Sequence, residues 1–247
     1  MHKVITLRER PDLEDEVDRL HGEAWPVFLR HDAVAARHWP ALFSTFAEYQ
    51  IVLCDGTGAV VAVGNTIPVI WDGTTGDLPE GIGEILERGI RIRAEGPPAT
   101  ALSALAVIVR AEHRGEGLSR AVIEAMRGVA ARHGLAALIA PVRPTMKSHY
   151  PLTPIERYVR WTQADGAAFD PWLRVHFRLG ADLLRIAPRA MVVEGSVAAW
   201  EEWTGMRFPE SGTYVVPGAL QPIAIDCERD RGCYEDPNVW MRHPVPG

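Results

Sequence analysis

"AEHRGEGLSRAVIEAM", Ala111–Met126, sets two glycines and an arginine directly before an apolar pattern of helical spacing. Leu118, Ala121, Val122, Ala125, Met126, Val129 and Ala130 recur at i, i+3, i+4, i+7, i+8, i+11 and i+12, which predicts one amphipathic helix. His133-Gly134 supplies its stop, since glycine takes the left-handed conformation that closes helices. Ahead of the loop, TALSALAVIV (Thr100–Val109) is almost continuously apolar, as a strand buried on both faces is. LAALIAPV (Leu135–Val142) reads the same way after the helix. Strand, glycine loop, helix and strand make one crossover inside a larger mixed sheet.

A helix N-terminus presents unpaired backbone N–H groups and a partial positive charge, and glycines in the approach let the backbone close on an anion. Gly115 and Gly117 also suit a plain strand-to-helix turn, with Arg114 a solvated charge. The arginine, the buried strand before and the amphipathic helix after favour a phosphate-holding loop. A P-loop would need GxxxxGK[ST], and no such run exists. A dinucleotide fingerprint needs a third glycine where this chain has Arg120, and belongs on a first strand rather than mid-chain.

Working outward, VITLRE near the start alternates like a short strand, and Leu13 to Glu48 is helical in pattern with a break around His31, predicting two helices. YQIVLCDGTGAVVAVGNTIPVIW (Tyr49–Trp71) predicts a hairpin turned by Asp55-Gly56-Thr57-Gly58. Asp72 to Pro97 is punctuated by glycine and proline and reads as an inserted lid with one short helix. Beyond Pro144, helices are expected at Ile155–Thr162, Phe169–Leu179 and Val197–Thr204, with short strands at LLRIAP, AMVVEG, TYVVPG and PIAID. DCERDRGCYEDP (Asp226–Pro237) reads as a solvated acidic turn, with the steering of a cationic amine as the lesser alternative. No composition shift splits off a second domain.

The 247 residues suit one large domain, and 47% hydrophobic with 23% charged residues is an ordinary globular balance. Apolar runs are too short to cross a bilayer and the charged N-terminus lacks a signal-peptide core, so the expected location is the cytoplasm, with no membrane partner. A net charge of −6 argues against nucleic-acid binding. Cys54, Cys227 and Cys233 lack CxxC spacing, so no metal site is expected.

Arg114-Gly115-Glu116-Gly117-Leu118-Ser119 resembles motif A of the GNAT superfamily of acyl-CoA-dependent N-acyltransferases, Gln/Arg-x-x-Gly-x-Gly/Ala between that family's fourth strand and third helix. Arg114 and Gly117 match, and Ser119 departs at the last position. The element order of Val4 to Leu135 follows the family, and HFRLGA (His176–Ala181) is similar to its Tyr-x-x-Leu-Gly-Phe-like helix end. The resemblance implies an α/β fold of α+β type: a central twisted mixed β-sheet flanked by helices, with an inserted lid and an extended C-terminal part. It implies a single GNAT-like domain over residues 1–247, with the core in 1–144 and a divergent acceptor-side half in 145–247.

The same resemblance implies acetyl-CoA or another acyl-CoA as cosubstrate and a small-molecule amine as acceptor, with transfer direct from thioester to amine. Backbone groups of Val107 and Val109 would hold the pantetheine arm, and Arg114, Gly115, Glu116, Gly117, Leu118 and Ser119 the pyrophosphate. The family often has a tyrosine on the fourth helix as general acid; that position is His176 here, a residue that titrates near neutrality. The strand Thr100–Val109 carries no carboxylate, so the base is water or a residue of the aromatic stretch SHYPLTPIERYVRW: His149, Tyr150, Glu156 or Tyr158. That stretch is also where acceptor specificity is expected. A homodimer is compatible with this reading. Two other readings share the fold: a non-catalytic acyl-CoA-binding module, and an enzyme with altered acyl-CoA chemistry such as O-acyl transfer or decarboxylation.

Overall fold

Lys3–Thr6 (β1), Ile51–Cys54 (β2), Val60–Val69 (β3), Ala101–Val109 (β4) and Ala137–Val142 (β5) form where strands are expected and lie side by side in chain order. The sheet then takes its remaining strands, Asp182–Gly195 (β6), Gly212–Tyr214 (β7), Ile223–Asp226 (β8) and Arg231–Pro244 (β9), out of order. The computed structural model describes residues 2–96 and 98–246; Pro97, the end of the expected insertion, lies outside them. β4 and β5 run parallel, and the other described pairs are antiparallel.

The helices are Glu14–Ala24 (α1), Ala33–His38 (α2), Pro40–Ser44 (α3), Ile82–Glu95 (α4), Leu118–Arg132 (α5), Ile155–Tyr158 (α6), Pro171–Arg178 (α7) and Val197–Thr204 (α8). They cover both faces. Val17 and Leu20 of α1, Ile85 and Leu86 of α4 and Trp200 of α8 pack with Val63, Ile67, Leu105 and Trp240. Leu118, Val122 and Met126 of α5 and Leu173 of α7 pack with Leu102, Leu138, Val239 and Met241. The alternation of strand side chains explains the division: Val239 and Met241 face one core while Trp240 between them faces the other.

Four expectations are corrected. The stretch read as a lid carries the 14-residue α4, whose Ile85 and Leu86 are fully buried, so this segment is a wall of the core. LLRIAP and AMVVEG are one 14-residue strand, β6, irregular between Ala187 and Met191 rather than broken there. The helix expected at Ile155–Thr162 is the single turn α6, ending at Tyr158. The acidic turn is the largest difference. Only residues 227–230 turn; from Arg231 the chain is β9, which pairs with β5 and β8 on one side and β6 on the other. Its charged composition hid it. Asp236, fully buried, is neutralised by Arg143, whose Nε lies 3.0 and 3.1 Å from its carboxylate oxygens, and Tyr234 donates its hydroxyl to Asp236 at 2.5 Å. A buried charge so paired is invisible to a hydropathy pattern.

α4 sits tightly on the second half of the sheet. A Cβ built on Gly81, just before α4, would lie 2.2 Å from the carbonyl oxygen of Ala190. Gly81 is extended, so the constraint is space alone. Gly81→Ala is expected to lower stability by about 1–3 kcal/mol, because backbone rather than a flexible side chain would have to move. Gly128→Ala, inside α5 with its nearest atom 3.7 Å away at the tip of Arg132, is expected to raise stability by roughly 0.5–1 kcal/mol. Paired thermal melts check both, and equal melting temperatures for the two variants would contradict this packing.

Candidate active site

The glycine loop stands where the sequence places it. Gly115 and Gly117 both have positive φ, 91° and 79°, and a Cβ on either would meet no atom within 4 Å. Gly117 is the N-cap of α5 and no side chain caps the helix, so Ser119 lies inside the first turn rather than at the cap. The first intrahelical acceptor in this region is the Gly117 carbonyl, taken by the Ala121 N–H at 3.2 Å. The N–H groups of residues 115–120 therefore have no partner among the described residues, and Gly115 to Gly117 are exposed to solvent. Leu118 is buried and fastens the helix start to the core, while Arg114 is exposed. The Glu116 carboxylate lies 3.2 Å from His113 Nδ1, and Glu112 lies within 3.9 Å of Arg110, so both acids sit beside a basic partner. Arg110 in turn donates to the Val60 carbonyl at 2.8 Å and to Glu16 at 2.9 Å, pinning the start of the loop to β3 and α1.

Next to this loop the sheet opens. β4 and β5 are paired only over Ala101–Ser103 and Ala137–Ile139, after which β4 continues to Val109 without β5. The register of β3 against β4 slips between Asn65 and Thr66, which leaves Leu105 as the extra residue of a bulge. Past the bulge the Arg110 N–H bonds the Val61 carbonyl at 2.9 Å, so Arg110 points its backbone towards β3. By strand alternation Val107 and Val109 point their N–H and C=O groups the other way, into the gap that β5 has left. A strand edge with free backbone groups next to a nest of free amides fits an extended arm ending in a diphosphate.

The expected catalytic side chains stand elsewhere. His176, on α7, is 3% exposed, and its Nδ1 lies 2.8 Å from Nε2 of His243. His243 pairs in register with Leu138, so the two rings lie beside the paired part of β4 and β5 rather than at the gap. Tyr150 is half-buried in an aromatic cluster with Tyr158, Trp161 and Phe169, at ring separations of 5.0–6.0 Å. Tyr158 donates to Asp170 at 2.8 Å, and burial pushes its phenol well above the ordinary value. Asp170 also caps α7 by accepting from Trp172 and Leu173. SHYPLTPIERYVRW is thus a clasp holding α6 against the start of α7, and His149 and Glu156 are exposed on its outside. Lys147, fully buried, donates to the carbonyls of Tyr150 at 2.8 Å and Leu220 at 2.5 Å, and burial lowers it to about 8.

On the sheet face opposite α5, a cavity of about 300 Å³ reaches down between α1 and α2 to Leu105, the bulge residue beside the gap. Asp18, His21, Trp25, Arg30 and Trp39 line it. Burial holds His21 down to about 4, with Asp18 opposing, so the ring is neutral. A larger cleft of about 440 Å³ lies between β1 and the far end of α5, remote from both loop and gap. Sequence reasoning missed the first cavity, because the helical pattern of Leu13 to Glu48 did not single out Trp25 and Trp39. The available signal was their place on either side of the break at His31.

Burial lowers both His176 and His243 below the ordinary histidine value of 6.5. The unfolded chain takes up protons below that value and the folded pair does not, so stability falls as pH drops from about 6.5 towards about 4. Each ring contributes a slope of at most about 1.4 kcal/mol per pH unit. A His176→Leu/His243→Leu double variant is expected to melt with a flatter pH dependence across that window than the wild type; superimposable slopes would show that the pair is already protonated in the fold.

Comparison with known proteins agrees with this geometry. No protein-family model matches the chain. It is 35% identical to an arginine N-acetyltransferase, avaD, of Aspergillus versicolor, over 99% of this chain and 94% of that one. Among solved structures it is similar in fold to the loading GNATL domain of CurA from Lyngbya majuscula, with a TM-score of 0.66, 13% identity and 99% and 98% of the two chains covered. It is also similar to the GphF GNAT-like decarboxylase in complex with isobutyryl-CoA, with a TM-score of 0.56 and 16% identity over all of both chains. A mosquito arylalkylamine N-acetyltransferase, like 5b, superposes with a TM-score of 0.52 and 10% identity, over 99% of this chain and all of the other. With its glycine loop, split sheet and full-length relative, the chain belongs to the GNAT superfamily of acyl-CoA-dependent N-acyltransferases.

Proposed function

We propose that this enzyme acetylates a small-molecule amine of the arginine class, using acetyl-CoA bound between β4 and β5. The observation that carries the cosubstrate assignment is the run of free amides at 115–120 placed end to end with the free edge of β4. Backbone N–H and C=O groups of Val107 and Val109 hold the pantetheine arm as an added strand would be held. The amides of Gly115 to Ser119, aided by the helix dipole and by Arg114, hold the diphosphate. A GphF decarboxylase of similar fold is described with isobutyryl-CoA, and the acceptor class rests on the avaD relative.

The chemistry is one substitution at the thioester carbon. The amine nitrogen bonds to that carbon, the carbon–sulfur bond breaks, the nitrogen gives up one proton and the departing sulfur takes one up. The described part of β4 offers no carboxylate, so the amine must arrive neutral or lose its proton to water, and this chain's contribution is positioning and exclusion of bulk solvent. We assign the acid to His176, which stands at the family's helix end on α7. Three free thiols, Cys54, Cys227 and Cys233, support action in a reducing compartment such as the cytoplasm.

Thiol release from acetyl-CoA with L-arginine tests the reading: release that requires the amine, with a mass gain of one acetyl group on it, is the expected result. Arg114→Ala is expected to raise the dissociation constant of CoA several-fold, and Gly117→Val by tenfold or more, because valine strains at φ 79° and re-aims the amides. Calorimetry on folded protein that finds CoA affinity unchanged in Gly117→Val would overturn the loop assignment. For His176→Gln, a fall in kcat of tenfold or more at unchanged CoA affinity supports the acid role, and an unchanged kcat removes it.

A further inference from the structure

The cavity between α1 and α2 carries two opposite charges that the fold does not use. Asp18 lies on the exposed side of α1 and forms no ion pair among the described residues. Arg30, also on the lining, has one hydrogen bond among the described residues, a long 3.3 Å donation to the Gly22 carbonyl. The two share one lining without meeting each other. Between the unpaired charges stand the half-buried indoles of Trp25 and Trp39, and Trp39 is held by an edge-on contact with His21 at 5.4 Å. Deeper in, the buried His21 ring lies near the Asn65 side chain and sets a polar group on the cavity lining.

These walls are fixed by the fold. Asp32 caps α2 through Val34 and Ala35, and its second oxygen accepts from Val192 of β6 at 3.1 Å, tying the helix that carries Trp39's neighbours to the strand that carries Met191. Asn65 donates to Gln50 at 3.1 Å, and Gln50 spans to the carbonyls of Phe46 and Thr66, which holds the β3 side of the bulge in place. The cavity floor at Leu105 is therefore rigid and adjoins the point where β4 leaves β5.

We infer, on the basis of the acyl-transfer reading above, that this cavity is the acceptor site and selects a small zwitterion with an additional cationic group. Asp18 and the faces of Trp25 and Trp39 take the cation, and Arg30 takes the carboxylate. A planar cation gains from both a carboxylate and an indole face, and a guanidinium is the preferred donor to a carboxylate, so each lining group has a matching part on a basic amino acid. The volume of about 300 Å³ admits a molecule of that size. The acceptor enters from the α1–α2 face while the cosubstrate lies on the α5 side, and the two meet through the gap beside Leu105.

Steady-state kinetics with acetyl-CoA and three amines, L-arginine, agmatine (which lacks the carboxylate) and L-citrulline (which lacks the side-chain cation), test this, with tryptophan-fluorescence titration as a binding readout independent of turnover. Wild type is expected to favour L-arginine over both analogues in kcat/KM. Asp18→Asn should raise KM for L-arginine and agmatine tenfold or more with KM for acetyl-CoA unchanged. Arg30→Gln should raise KM for L-arginine and leave that for agmatine unchanged. Trp39→Leu should weaken L-arginine binding and reduce the fluorescence response. Wild type that binds CoA yet neither binds nor acetylates L-arginine would overturn the acceptor class, and unchanged KM values in Asp18→Asn and Arg30→Gln would overturn the cavity assignment; in both cases the acyl-transfer reading stands. Wild type that does not bind CoA would instead remove the reading on which the inference rests.

Discussion

Past Ser103 and Ile139 two parallel strands stop sharing hydrogen bonds, and the remainder of the molecule is arranged around that parting. Parallel strands that run on together would satisfy each other's backbone groups and leave nothing to bind. The bulge at Leu105 shifts the β3 register by one residue and bends β4 away from β5. Backbone N–H and C=O groups are costly to leave unpaired in an interior, so a strand edge exposed in the middle of a sheet is retained where something else pairs with it. The parted edge and the bare amides of the α5 start follow one another along the chain, which gives a long ligand with a polar arm and an anionic end a continuous path.

A sheet opened at its centre needs reinforcement on both sides. β9 provides it, because a single strand is bonded to β5 and β8 along one edge and to β6 along the other. The buried Asp236 anchors this strand: Arg143 leaves the end of β5 to meet it, Arg143 also donates to the Gly218 carbonyl, and Tyr234 links Asp236 to the Leu220 amide. Removing one partner of such a buried pair typically costs about 3–5 kcal/mol, because an uncompensated charge remains. Burial opposes the charged form of Arg143 while Asp236 favours it, and the guanidinium is held above its ordinary value. The network lies just beyond the β5 end of the gap, so it sets where β5 goes after it leaves β4.

Two partly independent surfaces meet at the bulge. The loop and the β4 edge belong to the α5 face, and the cavity with its tryptophans belongs to the α1–α2 face. Leu105 is the residue they share by position.

The glycine loop, the apolar runs on either side and the i, i+3, i+4 spacing of α5 were all readable from the chain alone, because each is decided within about thirty residues by backbone freedom and helical or strand periodicity. The β1–β5 order and the direction of Val107 and Val109 followed from the same local rules and the resemblance they carried. Contacts between distant parts of the sequence were not readable. β9 was hidden because Asp236 and Glu235 look solvated until Arg143 and Arg189 are brought to them from about 93 and 46 residues away in the chain. α4 looked like a lid because its punctuation by glycine does not reveal that Gly81 lets it press against Ala190. His176 looked titratable until β9 set His243 against it and desolvated both. Local sequence fixes which conformations a segment prefers, whereas desolvation and charge pairing depend on which remote surfaces close over a group, and only the folded sheet decides that.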